Sequence, residues 1–89
     1  MNLPKLWAQI KADLQRARTT LPRAAEHPAI TQYEEFLTHN ELELACDMLE
    51  SYAESHTVSK EFWIALSDAA GKMKLSDRAR GYERFAGER

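Results

Sequence analysis

Four carboxylates, Glu43, Asp47, Glu50 and Glu54, follow one another at steps of four, three and four. On a helix that spacing lines them along one narrow face over three turns. No lysine or arginine occurs between residues 40 and 55 to balance them. Each adjacent like-charge pair on an exposed helix costs about 0.2–0.5 kcal/mol. Three such pairs cost roughly 1 kcal/mol, a noticeable share of a small domain's margin of about 5 kcal/mol. Glu50 and Glu54 also stand toward the helix C-terminus, where the macrodipole disfavours negative charge. The chemistry open to such a face is electrostatic. It can attract a basic partner, speed the encounter and reject wrong partners. Its alternative use is internal, with bases from elsewhere in the chain neutralising it. Glu35 is expected to flank the stripe.

Catalytic and metal-binding patterns are missing from the sequence. His27, His39 and His56 fall in or near expected loops. There is no His-x-x-x-His, Glu-x-x-His or Cys-x-x-Cys spacing and no glycine-rich phosphate loop. Cys46 lies between Leu42 and Leu49 on an apolar side, and Asp47 and Glu50 beside it raise a thiol pKa, so a buried apolar role is expected rather than a nucleophile. Trp7 and Trp63 fall on apolar stripes and are expected in the core. The expectation is a protein that is not an enzyme and carries no cofactor or metal.

These residues need helices to hold them. Leu3, Trp7, Ile10, Leu14, Ala17 and Leu21 recur at helical steps and predict a first helix over about 4–19, with Pro4 in its first turn. Pro22 and Pro28 punctuate a loop. A second helix is expected over about 28–38, with Ile30, Tyr33, Phe36 and Leu37 inward. Asn40 reads as the N-cap of the third, with Glu43 placed for a capping box, and the helix runs to about 55. Ser59 reads as the cap of a fourth helix over about 60–73, with Val58 and Trp63 placed as a hydrophobic staple. Ser76 reads as the cap of a short fifth, over 77–88, striped by Ala79, Tyr82, Phe85 and Ala86. No strand-like alternation occurs. The fold class is therefore all-α, a compact bundle of four to five short helices in a single domain over 1–89.

The net charge of −2 hides an asymmetry. Residues 1–33 carry five bases against two acids, a net of +3. Residues 34–68 carry nine acids against Lys60 alone, a net of −8. Residues 69–89 carry six bases against three acids, again +3. The basic ends are expected to pack beside the acidic middle. That middle repels phosphates, so nucleic acid is not an expected partner. No apolar run reaches the ~18 residues of a membrane helix, and charges run through the apolar positions of the N-terminus, unlike a signal peptide. The single cysteine permits no intrachain disulfide, and the chain reads as cytoplasmic.

The runs "FLTHNELELACDMLESYAE" and "SKEFWIALSDAAGKMKLSD" resemble small helical immunity proteins of bacterial polymorphic-toxin and contact-dependent-inhibition systems. The resemblance covers roughly residues 30–78. It is carried by the Asn40-Glu41 start, the alanine-containing acidic third helix, and the next helix with Phe62-Trp63 closing on Met73-Lys74-Leu75. It implies an antidote that binds the C-terminal domain of a cognate toxin, often a nuclease, as a monomer in a 1:1 complex. The expected contact residues are Glu35, Glu43, Asp47, Glu50 and Glu54. The competing reading is a non-enzymatic helical adaptor or regulatory module that self-associates through leftover apolar surface.

Overall fold

The computed structural model describes residues 3–23 and 26–87 and is all-α. Its helices are α1 (Leu3–Thr19), α2 (Pro28–Thr38), α3 (Leu42–Ser55), α4 (Lys60–Lys72) and α5 (Ser76–Gly87). Glu88, the expected last residue of the fifth helix, lies outside the described residues.

α4 is the centre of the bundle. Phe62, Trp63, Ala65, Leu66, Ser67, Ala69 and Ala70 are all buried along it. Its alanines keep the surface low, so neighbours approach closely. α1 and α5 both pack on α4, α3 touches α1 and α4, and α2 packs on α3. Leu14, Leu49, Phe62, Leu66, Cys46 and Tyr33 form the most enclosed part of the core. The radius of gyration is 12.1 Å, which is what about 12 Å of chain-length scaling predicts. The smallest extent is 17 Å, about two helices deep at the usual 8–10 Å axis spacing.

Ion pairs tie α1 to α4. Asp13 is buried and accepts from Lys72 Nζ at 2.5 Å. Arg16 reaches Asp68 at 2.5 Å and Asp13 at 3.4 Å. Arg16–Asp68 thus joins a base of the N-terminal part to an acid of the middle, as the charge pattern predicts, whereas Asp13–Lys72 runs between the two chain ends.

The helix ends follow local chemistry, with two departures from expectation. Ser59 caps α4 by accepting the Phe62 N–H at 3.2 Å, and Val58 and Trp63 on either side of the cap are both buried. Asn40, however, is not the cap of α3. It sits in the left-handed region at φ 59 and closes α2: the Asn40 N–H bonds the Leu37 carbonyl and the Glu41 N–H bonds the Phe36 carbonyl. That is a Schellman ending, for which asparagine's tolerance of the left-handed region suits it. Glu41 then occupies the N-cap position of α3 without a side-chain cap bond, so the expected capping box does not form. The second Schellman ending closes α4. There Lys74 takes φ 62, with Lys74 N–H to Gly71 O and Leu75 N–H to Ala70 O. α5 begins at Ser76 itself, with the Ala79 N–H bonded to the Leu75 carbonyl, so Ser76 belongs to the first turn.

The stripe of α1 is buried only from Ile10 onward. Ile10, Leu14, Ala17 and Leu21 are in the core, whereas Trp7 is 43% and Leu3 46% exposed. The expected burial of Trp7 therefore fails, although Leu6 in the same first two turns of α1 packs against the core. These turns border a shallow groove shared with Leu42 and Met73.

Candidate functional site

α3 is unbroken from Leu42 to Ser55, so Glu43, Asp47, Glu50 and Glu54 do share one face. The opposite side buries Leu42, Ala45, Cys46, Leu49 and Tyr52. The stripe is divided. Glu43 and Glu54, at its ends, are exposed and enter no ion pair among the described residues. Asp47 and Glu50, in its middle, are half-buried under Arg78 of α5. Glu35 lies apart on α2, exposed, and nothing joins it to the four.

Arg78 is the hinge of this arrangement. Its Nη2 lies 2.7 Å from Asp47 Oδ1 and 3.6 Å from Glu50 Oε1. The same group donates to the Tyr82 hydroxyl at 2.8 Å, and Nε donates to it at 3.1 Å. The Tyr82 hydroxyl in turn donates to Glu50. Cys46 Sγ closes the cluster, 3.7 Å from Arg78 Nη2 and 3.8 Å from the Tyr82 oxygen. Arg78 and Tyr82 are four residues apart, so both project from one side of α5 toward α3. α5 packs on α4, and these side chains span the remaining gap to α3.

The titration behaviour follows from burial. Burial is the main cause that pushes the Cys46 thiol up to about 11, with the nearby Asp47 and Glu50 adding to it. The direction matches the sequence expectation, but enclosure contributes more than the acids. Burial likewise raises the Tyr82 phenol above its ordinary value, and Glu50 adds to the rise by accepting a hydrogen bond from the protonated hydroxyl. Burial works against the Arg78 charge, yet Tyr82, Cys46 and Asp47 more than offset it and hold the guanidinium above the ordinary arginine range. A thiol held protonated and enclosed is a poor nucleophile, and what the cluster does in the fold is clasp α5 to α3.

Beyond the clasp the two helices part. A cleft of about 470 Å³ opens there, lined by Glu50, Ala53, Glu54, Trp63, Arg78, Gly81, Tyr82 and Phe85. Trp63 forms part of it while only 7% exposed, and its indole N–H has no hydrogen-bond partner. Phe85 is 47% exposed and lies 4.8 Å, centroid to centroid, from Trp63. The sequence pattern put Phe85 on the inward stripe; it stands instead at the mouth of the cleft.

The histidines are at helix ends, as expected, but two of them meet. His27 caps α2 by accepting the Ala29 N–H at Nδ1, 3.1 Å away. His56 stacks on Tyr52 at 4.0 Å, and His27 meets the edges of both rings. Among the described residues, no three His, Cys, Asp or Glu side chains gather as metal ligands, and no helix is long and apolar enough to cross a membrane. No protein-family model matches the chain, and no curated protein or solved structure matches it either.

Proposed function

We propose that the chain is a non-catalytic binding protein that covers a basic surface on a protein partner, in the manner of an immunity protein neutralising a basic toxin domain. The observation that carries this reading is the uncovered acid on α2 and α3. Glu34, Glu35, Glu41, Glu43 and Glu54 are exposed and outside every ion pair among the described residues. Among the described residues, the arginines of the chain ends reach Asp13, Asp47, Glu50, Asp68 and Asp77 and no other acid. The fold tolerates the repulsion of Asp47 and Glu50 because Arg78 pairs with both; among the described residues no base does the same for Glu43 and Glu54. In this reading Asp47 and Glu50 serve the contact chiefly by holding α3 in place and adding field, while Glu43, Glu54 and Glu35 face the partner.

The experiment is co-expression with the polypeptide encoded by the adjacent reading frame, followed by an assay of whether the chain suppresses that polypeptide's toxicity and nuclease activity. Suppression with a 1:1 complex is the expected result. Full toxicity with no complex overturns the reading. A second reading, a self-associating adaptor, is favoured by the exposed apolar end at Leu3 and Trp7. Sedimentation separates the two, since a tight dimer of the isolated chain that Trp7→Ser dissolves belongs to the adaptor.

A further inference from the structure

We infer that the cleft between α3 and α5 is the receptor for one arginine side chain of the basic partner, an anchor point within the wider acidic contact. The inference rests on the binding reading above and says where its specificity lies.

Three features of the cleft point to that occupant. Its walls are aromatic: Trp63, Tyr82 and Phe85. A guanidinium packs well on aromatic faces, and a planar cation gains most there when partly desolvated. Its rim is acidic. Arg78 is already engaged by Asp47, Glu50 and Tyr82, which leaves Glu54 as the carboxylate on the cleft without an ion pair. With Glu50, Glu54 and Arg78 in place the lining keeps a net negative charge, complementary to one incoming cation. Finally, residue 81 on the cleft lining is glycine and adds no side chain to that space. Gly81 lies inside α5 with nothing within 4 Å of where a Cβ would stand. Glycine inside a helix costs about 0.5–1 kcal/mol relative to alanine. No close backbone approach or positive φ requires it, and the space over it belongs to the cleft that Phe85 and Glu54 also line.

The test needs no partner. Acetyl-arginine-methylamide is titrated into the ¹⁵N-labelled protein and the two indole N–H resonances are followed, with acetyl-citrulline-methylamide as the isosteric neutral probe. The expected result is a saturable shift of the Trp63 resonance with the arginine probe alone, Trp7 staying in place. Glu54→Gln weakens binding about two- to fivefold, as an exposed pair does. Gly81→Leu fills the cleft and abolishes the shift while the thermal midpoint stays at or above that of the parent, which separates blockage from misfolding. Equal response to the citrulline probe, a silent Trp63, or undiminished binding by a folded Gly81→Leu protein overturns the inference. Those outcomes leave the binding reading standing, because suppression of the partner is assayed separately.

Discussion

Replacing Arg78 by methionine is the most informative change to the fold, because this side chain, together with Tyr82, joins α5 to α3. The substitution keeps the aliphatic length and removes the guanidinium. Tyr82 then loses both donors, at 2.8 and 3.1 Å. A hydrogen bond to a charged group contributes about 1.5–3 kcal/mol when enclosed, and the lower end applies because the Arg78 side chain is 27% exposed. The pair with Asp47 contributes about 0.2–1 kcal/mol, since that carboxylate is 38% exposed and screened. Asp47 and Glu50, three residues apart, regain their repulsion of about 0.2–0.5 kcal/mol. The loss comes to about 2–3 kcal/mol. For a domain of this size each kcal/mol lowers the melting midpoint by about 4–8 °C. Urea unfolding followed by circular dichroism at 222 nm measures the loss. Arg80→Met on the same helix is the control, because the Arg80–Asp77 pair is largely exposed; it has no measurable effect. Adding Glu50→Gln to Arg78→Met recovers part of the loss by removing one of the stranded acids. If Arg78→Met costs no more than Arg80→Met, the clasp does not hold α5 to α3 and the division of the acidic stripe collapses.

Three further changes test the local physics. His27→Ala removes the α2 cap and costs about 1 kcal/mol, His27→Asn recovers at least half of it, and His39→Ala, at an end closed by backbone bonds alone, is neutral; equal effects at the two sites refute the cap. Lys74→Gly relieves a left-handed non-glycine residue and raises stability by about 0.5–1 kcal/mol; a loss in urea midpoint contradicts the Schellman assignment. Cys46 in the folded chain fails to react with a maleimide at pH 8 and reacts at once in denaturant. The folded thiol keeps its proton to about 11 against an ordinary 9.0. Its contribution to stability is therefore complete below pH 9 and is lost as pH rises toward 11. A urea midpoint that is flat or rising between pH 9 and 11 contradicts that sign.

Helix periodicity was enough to place all five helices, the Ser59 cap and most of the core, because each segment has one apolar stripe and only one way to bury it. The same logic misplaced Trp7 and Phe85. A stripe tells which residues share a face, not whether a neighbouring helix extends far enough to cover both ends of that face. Asn40 was misread because its chemistry suits two adjacent positions, the left-handed end of one helix and the cap of the next; the chain uses the first. The four-three-four spacing of the acidic side chains on α3 was visible, as was the possibility that chain-end arginines meet them. That Arg78 would cover only the middle pair depends on α5 leaning on α4 beside α3, a tertiary fact without a local signal. The cleft beside the clasp has no local signal either, because helical periodicity says nothing about the space left between two helices.

The central claim is that the open ends of the stripe, and not its clasped middle, meet a basic partner. Its most direct measurement is the association rate and affinity of the Glu43→Lys/Glu54→Lys protein for the neighbouring-gene polypeptide at low and high salt. The fold is expected to survive, because both residues are exposed and neither is in an ion pair among the described residues. Affinity is predicted to fall by at least about tenfold at low salt, mostly through the association rate, with the gap narrowing as salt screens the charges. An unchanged rate and affinity in a folded protein would contradict the account.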